Sequence, residues 1–143
     1  MKSKLILICA LFILFLSLAS CSTQTTVTVS CDDFMKQRHV NTQIQVSVGD
    51  SLNVNLCSNA TTGFRWSEVA EISSPEIIKQ TAHKFIGPSE KGGTPPPPGT
   101  AGTEVWTFEA LKRGTSTIYM EYSRPWAGGE KGEWTFKLTA VVK

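Results

Sequence analysis

From Val27 onward the chain alternates apolar and polar residues with a period of two. Val27 and Val29 flank Thr28, and Ile44, Val46 and Val48 alternate with Gln43, Gln45 and Ser47. Gly49-Asp50 makes a turn, after which Leu52, Val54 and Leu56 alternate with Asn53 and Asn55. Trp106 and Phe108 alternate with Thr107 and Glu109, and Lys112-Arg113-Gly114 turns the chain into Ile118, Met120 and Tyr122. The longest run is Trp134, Phe136, Leu138, Ala140 and Val142. Successive side chains of a strand point to opposite faces, so strict alternation marks strands with one buried face. About seven or eight short strands with turn signals between them predict an all-β sandwich, with a small barrel as the alternative. Only residues 67–80 leave room for a helical turn, and Ser73-Ser74-Pro75-Glu76 reads instead as a turn into Ile77 and Ile78.

The N-terminus departs from this pattern. Lys2 and Lys4 precede an apolar run from Leu5 to Leu18. A run of about 14 residues is short for a bilayer span and fits a signal-peptide core. It ends in Leu18-Ala19-Ser20-Cys21. Small residues before a cysteine, directly after an apolar core, resemble a prokaryotic lipobox, where the cysteine is lipidated and becomes the new N-terminus. Residues 1–20 are therefore expected to be a lipoprotein-type signal peptide, Cys21 the lipid site and residues 21–26 a polar tether. Residues 27–143 form the folded domain. An ordinary signal peptide cut nearby, or an uncleaved anchor, is the alternative. The expected location is the cell envelope, on a membrane held through the lipid.

Charge adds little direction. The chain has 14 basic and 12 acidic residues, and losing Lys2 and Lys4 would leave the two signs equal. No basic stripe marks a nucleic-acid partner. Of the four cysteines, Cys9 leaves with the leader and Cys21 takes the lipid, so Cys31 and Cys57 remain. In an exported chain one Cys31–Cys57 bridge is the simplest pairing, and two buried thiols are the alternative. A bridge closing about 26 residues would stabilise by about 3 kcal/mol in the chain-entropy model.

Catalytic chemistry is hard to place. His39 and His83 stand far apart in sequence, in no metal-ligand spacing with an acid or cysteine. No HExxH, GxSxG, P-loop or CxxC pattern occurs. Asp32-Asp33 is an acidic pair in a turn without further oxygen ligands beside it. A nucleophilic Cys57 would need a base that neither histidine is obliged to supply. The expectation is a protein that is not an enzyme, with no cofactor and no metal. Asn59-Ala60-Thr61 fits the N-glycosylation pattern, which an exported prokaryotic lipoprotein does not use.

The loops carry more information. Residues 87–102, GPSEKGGTPPPPGTAG, form a long segment rich in glycine and proline, and loops of this length are usually functional or disordered. Pro95–Pro98 is expected to be extended. Residues 123–132, SRPWAGGEKG, join two strands and carry an arginine and a tryptophan. Residues 58–66, SNATTGFRW, place two threonines before a glycine that tolerates a sharp turn. Trp66 reads as core. Alternate loops of a sandwich gather at one end, so residues 59–63, 99–102 and 124–126 are placed to form one surface.

These three loops together resemble the chagasin family of cysteine-peptidase inhibitors. That family carries an Asn-Pro-Thr-Thr-Gly-aromatic loop, a Gly-x-Gly-Gly loop and an Arg-Pro-Trp loop, in that order. Here they correspond to Asn59-Ala60-Thr61-Thr62-Gly63-Phe64, Gly99-Thr100-Ala101-Gly102 and Arg124-Pro125-Trp126. Val48-Gly49-Asp50 and Trp66 also fit, and the resemblance covers about residues 40–143. It implies an immunoglobulin-like sandwich whose loops wedge into the active-site cleft of a papain-like, cathepsin L-type peptidase. By that resemblance Thr61-Thr62-Gly63 would lie over the catalytic cysteine, with low bulk at Gly63 and threonine hydroxyls free for hydrogen bonds. Trp126 would face the primed side and the Gly99–Gly102 backbone the non-primed side. Arg124 would pair with an enzyme acid or brace its own loop. Ala60 stands where the family has proline and Ala101 where it has glycine. Those departures would suit the alternative, a non-inhibitory immunoglobulin-like binding or scaffold lipoprotein of the envelope.

Overall fold

A computed structural model describes residues 22–90 and 92–143. The expected signal peptide and the lipid site Cys21 lie outside the described residues. Among the described residues nine strands build the domain: β1 (Gln24–Val29), β2 (His39–Val46), β3 (Ser51–Ser58), β4 (Arg65–Trp66), β5 (Glu71–Ile72), β6 (Ile78–Ile86), β7 (Gly102–Ala110), β8 (Gly114–Ser123) and β9 (Trp134–Val142). A four-stranded sheet has the order β1-β3-β7-β6, and a five-stranded sheet the order β2-β9-β8-β4, with β5 also on β8. The pairs β1/β3 and β2/β9 are parallel and the others antiparallel. This is the all-β, immunoglobulin-like sandwich, with nine strands rather than seven or eight.

The count rises because β5 has only two residues, too few to show a period. The edge strand β6 also escaped the alternation. It is mostly exposed, and its register shifts between Gln80 and Ala82. A bulge breaks the period of two and twists an edge away from stray pairing.

The helix is likewise not where the pattern left room. One α-helix, α1 (Cys31–Lys36), follows β1, whereas residues 67–80 hold β5, a turn and the start of β6. The cause is a capping box. Ser30 Oγ accepts from the Asp33 backbone N–H at 3.2 Å, and Asp33 Oδ2 accepts from the Ser30 N–H at 3.0 Å. The Ser30 hydroxyl and backbone N–H hold the Asp33 carboxyl below its usual range. Asp32-Asp33 thus opens a helix, where acids favour the positive end of the dipole.

That short helix carries the chain from one sheet to the other and drives Phe34 into the core, where it is fully buried. Phe34 stacks on Trp134 at 4.9 Å and meets Trp66 at 5.2 Å. Trp66 in turn packs on Tyr122 at 5.1 Å and edge-on to Trp106 at 6.3 Å. Trp66 is core, as its place after the turn indicated. Buried indoles need acceptors. Trp66 Nε1 donates to the Cys57 carbonyl at 2.9 Å, and Trp106 Nε1 to the carbonyls of Ser67 and Glu68 at 3.2 Å. Truncating such a ring to alanine costs about 3–5 kcal/mol. Cys31 and Cys57 form a disulfide, with Cα atoms 5.1 Å apart, tying α1 to the end of β3.

At the opposite end of the sandwich Asp50 is 8 % exposed and pins the start of β1. Its carboxylate accepts from the backbone of Ser47 at 2.8 Å and of Thr23 at 2.9 Å. Those two N–H groups, Ser47 first, hold the Asp50 carboxyl below its usual range.

Candidate functional site

Loops 59–64, 87–101 and 124–133 emerge at the same end because the register requires it. Ser58 at the end of β3 faces Gly102 at the start of β7. Ile86 at the end of β6 faces Thr103, Arg65 faces Ser123, and Tyr122 faces Trp134. Four antiparallel pairings therefore deliver three connections to one pole.

The first loop is a short 3-10 turn, Ala60–Thr62, capped on both sides. Asn59 Oδ1 accepts from the Thr61 hydroxyl at 2.7 Å and from the Thr61 backbone N–H at 3.2 Å. The Thr62 hydroxyl donates to the Asn59 carbonyl at 2.7 Å. Both threonine hydroxyls thus donate inside the loop, and that of Thr62 also accepts from the Phe64 backbone N–H at 3.3 Å. Gly63 ends the turn at φ 79°, a left-handed conformation. Asn59 is anchored from below. The buried Tyr122 hydroxyl accepts from its N–H at 3.0 Å and lies 3.2 Å from its carbonyl as donor.

The second loop is joined to the first by side chain. Asn59 Nδ2 donates to the Gly99 carbonyl at 2.8 Å. Gly99 has φ 83°, and Thr100 closes the turn through its hydroxyl to the Pro97 carbonyl at 2.6 Å. Ala101 is half-buried against the core. Gly102 belongs to the β7 frame rather than to the exposed tip.

The third loop leans on the first. A Cβ placed on Gly63 would lie 2.9 Å from Trp126 Cη2, so the indole rests on the bare glycine. Trp126 nevertheless stays 52 % exposed, and Pro125 is exposed beside it. The Arg124 guanidinium carbon sits 4.6 Å from the Phe64 ring centre and 5.9 Å from that of Trp126. Arg124 thereby braces its own loop, and its Nε is buried without a partner. The loop closes on itself through Arg124 N–H to the Glu130 carbonyl at 2.8 Å and Gly129 N–H to the Trp126 carbonyl at 3.0 Å.

Every residue singled out in the three loops therefore comes to one end, but at different depths. Thr61, Thr62, Gly99, Thr100, Pro125 and Trp126 are exposed. Phe64 is buried, stacked on Tyr122 at 5.4 Å, and supports the surface instead of forming it. Tyr122 was legible only as a core position. A tyrosine on a buried strand face needs a partner for its hydroxyl, and that requirement was the available signal. Below the loops, Glu104 accepts from the Ser58 hydroxyl at 2.7 Å and meets His83 Nε2 at 2.7 Å, with His83 stacked 4.7 Å over Trp106. Period counting gave no hint of that network, because its members lie on three strands.

An immunoglobulin-like sandwich that gathers three tied loops at one pole is the architecture of a binding protein. The profile of the chagasin family peptidase inhibitor I42 matches residues 45–140, and the chain belongs to that family. It is similar to chagasin of Trypanosoma cruzi, with 33 % identity over 92 residues, 63 % of this chain and 79 % of that protein. The crystal structure of the cysteine protease inhibitor EhICP2 from Entamoeba histolytica shares the fold at TM-score 0.62 and 21 % identity, covering 84 % of this chain and 97 % of that one. The structure of PbICP-C in complex with falcipain-2 matches at TM-score 0.50 and 20 % identity, covering 89 % and 95 %.

Proposed function

We propose that the three-loop end enters the active-site cleft of papain-like cysteine peptidases and blocks it reversibly. In this reading Thr61-Thr62-Gly63 lies over the catalytic cysteine, Trp126 rests on one side of the cleft and the Gly99 turn on the other. The carrying observation is the mutual locking of the loops: Asn59 to Gly99 at 2.8 Å and Gly63 beneath Trp126. Loops ordered before binding lose little entropy on binding. A peptidase also needs its scissile segment extended, and residues 60–62 form a 3-10 turn held by Asn59. That turn resists being drawn out as substrate. Family membership, the Entamoeba inhibitor and the falcipain-2 complex of PbICP-C support the same target class.

Lipid anchoring through Cys21 belongs to this proposal. β1 runs parallel to β3 with Gln24 opposite Ser51, and β3 ends at the first loop. The start of β1 and the wedge are then separated by an eight-residue strand, about 26 Å long. An anchor at Cys21 would hold the wedge pointing away from the membrane. Cys21→Ser should release the protein from membranes or block its processing.

The deciding experiment titrates papain or a cathepsin L-like enzyme with the purified protein and follows hydrolysis of a small substrate. Trp126→Ala and Thr61→Ala should each weaken inhibition with the melting temperature nearly unchanged. No inhibition of several such enzymes at micromolar protein overturns the reading. Unfolding by Trp126→Ala would make that tryptophan structural and overturn the wedge.

A further inference from the structure

Among the described residues two exposed aromatic side chains stand at the loop end, Trp126 at 52 % and Phe85 at 49 % exposure. Phe85 is in none of the three loops. It is the penultimate residue of β6, an edge strand, and pairs in register with Glu104. Its ring lies across a second bare glycine. A Cβ on Gly102 would come 2.6 Å from Phe85 Cζ and 2.5 Å from the Ile86 carbonyl oxygen. An aromatic laid over a glycine on the neighbouring strand is held in place while its far face stays open. Phe85 also borders a cleft of about 190 Å³ with Ala60, Phe64 and His83, directly beside the first loop.

The two aromatics therefore flank that loop. Asn59 ties it toward the Gly99 side, where β6 and β7 carry Phe85 and Gly102, and Gly63 ties it toward Trp126. Ile86, 48 % exposed, adds a second apolar residue at the loop end of β6. An ordered ring that keeps half its surface in water is suited to contact area at small entropic cost.

We infer that Phe85 is a second aromatic anchor for the bound peptidase, on the flank of the wedge opposite Trp126, and a determinant of which peptidases are held. The inference rests on the wedge reading above and on the continuity of Phe85 with that surface. The partner it fits is an apolar rim of the peptidase cleft on the Gly99 side.

The test compares Phe85→Ser, Phe85→Leu and Trp126→Ala with the wild-type protein against papain and a cathepsin L-like enzyme. Phe85→Ser should raise Ki about tenfold, Phe85→Leu less, with unequal losses on the two enzymes. The melting temperature should stay within about 3 °C. If Trp126→Ala weakens inhibition while Phe85→Ser leaves Ki within twofold on both, the wedge stands and the second anchor is overturned. If wild-type protein inhibits neither enzyme, both readings fall. Should Phe85→Ser not fold, amide exchange of the wild-type complex decides. Protection of residues 83–88 on adding peptidase supports the anchor, and unchanged exchange there overturns it.

Discussion

The side-chain amide of Asn59 donates to the backbone carbonyl of Gly99 at 2.8 Å, across 40 residues of sequence. The same side chain caps the Thr61 turn through its oxygen. One residue thus shapes the first loop and joins it to the second. Asn59→Ala should cost about 1 kcal/mol of stability, the usual loss for a cap. Inhibition should suffer more, by about ten- to a hundredfold in Ki, because two loops must then be ordered on binding. Asn59→Asp keeps the acceptor and loses the donor. If it inhibits like wild type, the bond to Gly99 does not order the surface.

Gly63 is constrained twice, by its φ of 79° and by Trp126 at 2.9 Å from a Cβ position. Gly63→Ala should destabilise by about 1 kcal/mol through the backbone and displace the indole as well. The expected readout is a blue or red shift of tryptophan fluorescence together with weakened inhibition. Unchanged Ki and emission would mean that Trp126 does not rest on Gly63 in solution.

Ala60 opens the 3-10 turn, the position where proline is tolerated because its N–H has no partner within the turn. Ala60→Pro should stabilise by a few tenths of a kcal/mol up to about 1 kcal/mol by restricting the unfolded chain. Ki should hold or fall. A large loss of inhibition would show that this loop follows a different path from the family's Asn-Pro-Thr-Thr-Gly loop.

Asp50 makes stability depend on pH at the end remote from the wedge. The backbone N–H groups of Ser47 and Thr23 lower its folded pKa below the ordinary 3.8. The stabilisation is therefore complete above the unfolded value and is lost as pH falls below about 4 toward the folded one. Asp50→Asn should lower the melting temperature at pH 7 and flatten its fall between about pH 4 and pH 2. Inhibition at neutral pH should be unchanged while the protein is folded. A steep acid transition retained in the variant would assign it to other carboxylates.

The sandwich was legible in the chain because half-buried strands impose a period of two that Leu52, Val54, Leu56 and the Trp134–Val142 run obey. What the period cannot carry was lost. The two-residue β5 is too short for it, β6 is bulged and exposed, and α1 depends on a local Ser30–Asp33 exchange of hydrogen bonds.

The loop motifs were equally plain as residue types, since glycine, proline and asparagine announce turns by their backbone preferences. Sequence alone therefore determined the class of fold, the order of the loops and the residues that end them. Tertiary structure alone decided which of those residues are surface and which are scaffold. Phe64 went under Arg124, Trp126 came to rest on Gly63, and Phe85 joined the loop end from a strand. Burial and contact depend on which strands are neighbours. Asn59 lies 40 residues from Gly99 and 63 from Tyr122 in sequence, and only the closed sandwich brings them within hydrogen-bond reach.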